Sequence, residues 1–292
     1  MKTLFLTTST PDTIKLIHSF VSIHPDTRVV QYDQWGLDLV QIAKETNPEF
    51  IIYIGAIGKF HNDLPVPIAA TLKQIGEVAP SVHICSDAAD PPWWPYLEEY
   101  HEIGAFKLQV SIDGVHDSPM SRFGMVALTP VDPRFPYVSW KDRIYTCGFA
   151  GGGGFRQPML QQLKSKGLLT WFNEAGYVDY NLFYQFYPYC RLVINDARTG
   201  SGARHHVKGR FVEAALAGAI PIETRGAPAR NWFTPGVEYL EYGSIDEAEQ
   251  IIFQATADPT KYEDMAERLR SKMMAEHSGP VFWNRVLTRM NS

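Results

Sequence analysis

The feature that most constrains this chain is an alternation. Short runs rich in β-branched and aromatic residues are separated by segments with helical periodicity. The run FIIYI at 50–54 is apolar throughout, as expected of a strand covered on both faces of a parallel sheet. Runs at 3–8, 28–32, 82–85 and 108–112 read as further strands, and 14–23, 37–44 and 69–77 as helices. Strands alternating with helices imply βαβ units and a doubly wound parallel sheet. Pro119, Pro130, Pro133 and Pro136 then interrupt the pattern, and 129–140 reads as a connection. The alternation restarts with strands at 143–149, 192–195 and 220–223 and helices at 157–166, 209–217 and 245–257. The expectation is an α/β chain of two Rossmann-like domains with parallel sheets and a cleft between them. Their bounds are 1–130 and 141–275, with a linker at 131–140 and a closing C-terminal helix at 276–292.

The charge of −5 is unevenly shared. Residues 1–140 hold 9 Lys+Arg against 16 Asp+Glu, whereas 141–292 hold 18 against 16. A net −7 in the first part argues against duplex DNA binding there, because neutralising phosphates needs a basic footprint. The second part suits a small phosphorylated ligand. No run approaches the roughly 18–20 apolar residues that span a bilayer, and the short N-terminal run reads as a strand rather than a signal peptide. Cys85, Cys147 and Cys190 are widely spaced, without the spacing of a metal site. They read as buried thiols of a cytoplasmic protein.

Two segments carry chemistry. In CGFAGGGGFR (147–156), glycines between a strand and a helix let backbone N–H groups approach a phosphate, with Gly152 and Gly153 as the contacts. Arg156 would add a charged clamp. A merely flexible loop is the competing reading. No Gly-Lys-Ser/Thr follows, and the spacing is not the usual GxGxxG, which argues against a P-loop ATPase and a simple NAD enzyme. The second segment, RLVINDARTGSGARHHVKGRFVE (191–213), places Arg198, Arg204, Lys208 and Arg210 around a Gly-rich loop that leads into a helix. Cations there, with a helix N-terminus, suit a diphosphate. Glu213, in an otherwise apolar stretch of that helix, either accepts hydrogen bonds from ribose hydroxyls or answers the helix dipole.

From Lys208 to Ile252 the sequence KGRFVEAALAGAIPIETRGAPARNWFTPGVEYLEYGSIDEAEQII resembles the C-terminal domain of GT-B glycosyltransferases, particularly the CgeB-like and family-4-like group. The resemblance extends in outline over about 130–290. It implies a nucleotide-sugar-binding second domain and an acceptor-side first domain. It places Glu213 at the second Glu of the family's E-x7-E motif, on the ribose, and Lys208 and Arg210 on the diphosphate. The first Glu of that motif falls at His205, a departure that touches the contacts to the donor sugar, where Arg204 and His206 take other roles. The family needs no metal, since protein cations and helix dipoles stabilise the leaving diphosphate. No cofactor is therefore expected, and the donor is expected to be of UDP type.

The acceptor would be met by HICSDAADPPWW (83–94). Asp87 or Asp90 would act as general base in an inverting enzyme, and Trp93 and Trp94 would stack on the acceptor. His61 and His116 lie in loops after strands and read as structural. The expected activity is metal-independent transfer of a hexosyl or pentosyl group to a hydroxyl of a glycan, a small molecule or a hydroxymethylated DNA base. The alternative is a non-catalytic nucleotide-sugar binder, with His205 marking lost turnover. A sugar-phosphate isomerase has only the fold in its favour.

Overall fold

The computed structural model describes residues 1–9, 11–34, 36–55, 68–174 and 180–292. His61 lies outside them. By its contacts the chain forms two compact units. The first comprises Met1–Asp132, Arg198–His206 and Gly279–Ser292, and the second Pro133–Ala197 and Val207–Ser278.

In the first unit the strands are β1 (Thr3–Thr7), β2 (Thr27–Gln31), β3 (Phe50–Ile54), β4 (Ser81–Cys85), β5 (Leu108–Ser111) and β6 (Met125–Val126). They form one parallel sheet in the order β2-β1-β3-β4-β5-β6. Its helices are α1 (Pro11–Val21), α2 (Leu39–Thr46), α3 (Ala69–Val78), α4 (Trp94–Glu102) and α5 (Pro119–Phe123). Alternate strand residues feed two cores. Leu4, Leu6, Ile51 and Tyr53 pack with Ala43, Leu72, Ile75 and Leu97 on one face. Phe5, Ile52, Val82 and Val110 pack on the other face with Leu16 and Phe20, and with Phe282, Trp283 and Val286. The last three come from the far end of the chain, where the Trp283 indole N–H donates to Ser19 Oγ at 2.9 Å. The chain ending therefore belongs to the first unit, which its position in the sequence did not indicate.

The second unit holds β7 (Tyr145–Ala150), β8 (Thr170–Phe172), β9 (Cys190–Ile194), β10 (Ile220–Thr224) and β11 (Leu240–Tyr242). These are parallel in the order β11-β10-β9-β7-β8. Around them run α6 (Gln157–Ser165), α7 (Phe183–Phe186), α8 (Gly209–Leu216), α9 (Ile245–Ala257) and α10 (Glu263–Glu276). The final helix, α11 (Gly279–Asn291), returns to the first unit. Phe149, Leu192, Ile194, Ile220 and Ile222 make the core with Leu160, Leu163 and Ile252. The start of α9 is set locally, since Ser244 Oγ accepts from the Glu247 N–H at 3.2 Å.

Strand positions follow the sequence reading to within a residue or two. Short elements such as β6, β8 and α7 were not anticipated, nor was α4, which begins inside the segment read as an acceptor loop. Among the described residues no helix is long and apolar enough to cross a membrane. The three cysteines are free and buried.

Candidate functional site

In the second unit the chain runs from β7 to β8 on one side and then resumes at β9 on the other side of β7. Helices following parallel strands on opposite sides of such a reversal open a crevice at the strand C-termini, where ligands of α/β proteins bind. The loops leaving β7 and β9 are the two segments singled out in the sequence.

Gly151 turns the chain at the end of β7 with φ +108, a conformation that a side chain disfavours. A Cβ there would also sit 3.3 Å from Arg210 Nη2. Arg210, in the first turn of α8, stacks 4.2 Å from the Phe149 ring. Its Nε and Nη2 donate to the Ala150 carbonyl at 3.1 and 2.9 Å, and Nη1 to Asn195 Oδ1 at 3.1 Å. Three of its roughly five N–H groups are spent on fixing its direction. Lys208 occupies the N-cap position of α8 without a side-chain cap hydrogen bond. The first-turn N–H groups thus keep the partial positive charge of a helix N-terminus. Arg156 folds back, its Nε 3.3 Å from the Gly153 carbonyl and its Nη2 3.4 Å from that of Gly152.

Glu213 is buried on α8. It meets the hydroxyl of Tyr180 in a hydrogen bond and lies near that of Tyr187. Burial first, and then the Glu213 charge, push both phenols well above their ordinary range. Beside Arg210 stands a residue that sequence reasoning missed. Glu223, at the end of β10, is fully buried. Its Oε2 accepts from Asn195 Nδ2 at 2.5 Å and its Oε1 from the Thr224 N–H at 2.7 Å. Burial pushes its carboxyl up to about 7, opposed by these two hydrogen bonds. A polar residue at the end of an otherwise apolar strand, IPIET, was the available signal.

The donor residues expected from the sequence divide. Gly152, Gly153, Arg156, Lys208, Arg210 and Glu213 belong to the second unit, whereas Arg204 and His205 belong to the first. Arg204 pairs with Asp117 and lies 5.4 Å over the Trp94 ring. His205 forms a bridge with Arg198. Both oxygens of Asp90 accept from Ser201, from its hydroxyl and from its N–H at 3.0 Å. Asp87 is half-buried, and its carbonyl accepts from the Asp90 N–H. Trp93 is packed in the core of the first unit, while Trp94 donates to the Ala88 carbonyl at 3.0 Å. His116 is exposed. His206 lies 3.5 Å from Asp113, whose other oxygen accepts from the Ala89 N–H. Among the described residues no group of three or more His, Cys, Asp or Glu is arranged to hold a metal ion.

Residues 156–285 match the glycosyl transferase-like family. The chain has the GT-B fold. Its structure is similar to that of Anabaena HepE in complex with UDP-glucose, with a TM-score of 0.64, 13% identity, and 100% and 99% of the two chains covered. An alpha-glucosyltransferase in complex with UDP and a mismatched DNA matches with a TM-score of 0.65 at 8% identity, over 99% of each chain. Sucrose-phosphate synthase from Thermosynechococcus elongatus matches at 0.64 and 9%, over 99% and 98%. Among curated proteins none matches the sequence. The glycosyltransferase match takes in Arg156, the β9–α8 loop and Glu213 together.

Proposed function

We propose that this protein transfers a sugar from a UDP-type nucleotide sugar to an acceptor hydroxyl, without a bound metal ion. The observation that carries the reading is the arrangement around Arg210. A guanidinium fixed by Ala150 and Asn195, a glycine turn with φ +108 and an uncapped helix N-terminus meet at the β7/β9 switch point. Such a group stabilises negative charge, and the leaving diphosphate gains charge as the glycosidic bond to the donor breaks. Lys208 and Arg210 would take the diphosphate and Glu213 the ribose hydroxyls. These cations would do the work that a divalent ion does elsewhere.

The first unit would present the acceptor, a glycan or small-molecule hydroxyl. A DNA acceptor is disfavoured by the net −7 of residues 1–140. Of the two carboxylates read as a base, Asp90 accepts from Ser201, and either it or Asp87 would take the acceptor proton in an inverting reaction.

The test is a thermal-shift series with UDP, GDP, ADP, CDP and TDP sugars, with and without magnesium. A ligand that binds only the folded protein raises Tm. A rise with a UDP sugar in the absence of magnesium, lost in Lys208→Ala and in Glu213→Ala, supports the donor site. No rise with any nucleotide removes it. Binding without transfer or hydrolysis of labelled donor leaves a non-catalytic nucleotide-sugar protein.

A further inference from the structure

We propose that Glu223 is a positioning residue for the nucleotide donor. It holds the side-chain amide of Asn195 in the one orientation that turns its carbonyl toward Arg210. This rests on the donor reading above and adds to it a residue that touches no ligand.

An asparagine amide offers a carbonyl on one side and an NH2 on the other, and a half-turn about its last bond exchanges them. Above about pH 7, where it is ionised, the Glu223 carboxylate can only accept. Glu223 Oε2 therefore demands the NH2 side of Asn195 at 2.5 Å, which leaves the carbonyl side for Arg210 Nη1 at 3.1 Å. The reversed amide would set oxygen against carboxylate and NH2 against guanidinium. Each of these buried mismatches leaves a donor or an acceptor without its partner. The backbone of Asn195 is pinned as well, its N–H donating to the Ile222 carbonyl and its carbonyl accepting from the Tyr242 hydroxyl at 2.8 Å. The amide cannot drift away from Glu223 without breaking these contacts. Without Asn195, Arg210 keeps the Ala150 carbonyl, the Tyr187 hydroxyl and its stacking on Phe149.

The siting of Glu223 supports the same reading. Among the described residues no cation hydrogen bond to it is found, and Asp196, Lys208 and the Tyr239 hydroxyl are charged or titratable groups that face it. A carboxylate buried without a paired cation is costly, and an apolar side chain would fill this strand end more cheaply. Groups kept at such a cost cluster at functional sites.

The experiment measures UDP affinity calorimetrically for the full-length protein and for Asn195→Ala, Glu223→Ala, the double variant and Glu223→Gln. Asn195→Ala and Glu223→Ala should each weaken UDP about tenfold, and the double variant by the same factor rather than its square, because both act along one path. Glu223→Gln, which offers one carbonyl to the two donors of Asn195 and Thr224, should rescue UDP binding in part, falling between the wild type and Glu223→Ala. A residue serving only to support the fold would lower Tm without this coupling or this rescue. Multiplicative losses in the double variant, or an unchanged UDP affinity in Glu223→Ala, would overturn the proposal. Should Glu223→Ala fail to fold, unchanged affinity in Asn195→Ala overturns it equally. A wild type that binds no UDP removes the donor reading itself, whereas binding that is indifferent to these variants removes only the positioning role.

Discussion

The two units share one plan and differ at the C-terminal ends of their strands. In the first, the polar groups there are carboxylates. Asp33 accepts from the Ser9 N–H and hydroxyl, Asp113 from Ala89, and Asp90 from Ser201. In the second, the corresponding edge carries Arg210, Lys208, the Gly151 turn and the start of α8 above the buried carboxyls of Asp196 and Glu223. An acidic edge can take a proton or a hydrogen bond from a hydroxyl but repels phosphate. A basic edge with exposed helix N–H groups does the reverse. The same parallel architecture thus presents different chemistry in the two units, and side chains at a few strand ends decide which.

The largest expected effect probes whether the two units are separately cooperative. Trp283→Ala removes a fully buried indole from the core of the first unit and should cost about 3–5 kcal/mol. Hydrogen exchange should quicken in β1 and β3 while β7 and β9 keep their protection. Equal loss in both sheets would mean that the units unfold as one.

Next comes the buried acid of the second unit. Burial pushes the Glu223 carboxyl up to about 7 from the 4.5 of a solvated glutamate. Between these values the native state holds the proton that the unfolded chain releases. Its stabilising contribution is therefore complete below pH 4.5 and is lost as the pH rises through 7, by about 3 kcal/mol at most. Glu223→Gln should gain stability relative to the wild type between pH 5 and pH 8. Parallel Tm curves over that range would show that the carboxyl titrates normally.

Arg210→Ala should weaken UDP by about 2 kcal/mol, roughly 30-fold, with little change in the exchange of the first unit. A loss spread over both units would blur the contrast drawn here. Smallest is Asp90→Ala, which frees Ser201 and should cost about 1 kcal/mol. Amides of 199–204 should exchange several-fold faster, and unchanged exchange would show that other contacts hold the loop.

The alternation of strands and helices, the break in the proline-rich middle and the position of the glycine-rich and Arg-rich loops after strands were legible because each rests on local chemistry. Phe50–Ile54 must be buried on both faces, and Gly151 and Lys208 sit at junctions that any βα unit exposes. What was not legible depends on partners distant in sequence. Arg204 and Arg210 look alike in the sequence, yet one pairs with Asp117 and the other with Ala150 and Asn195. Trp93 and Trp94 are neighbours, but one enters the core and the other faces Arg204. Glu223 carried only the faint signal of a polar residue ending an apolar strand.

The sequence alone therefore determined the class of fold, the parallel character of both sheets and the places where the glycine turn and the cations of the second unit fall. These follow from hydrophobic periodicity and from backbone conformations that only certain residues adopt. The tertiary structure alone decided which cations share the Gly151 turn, that α11 completes the first unit and that Asn195 links Glu223 to Arg210. Hydrogen bonds and burial between residues far apart in the chain exist only after folding, so local pattern cannot encode them in readable form.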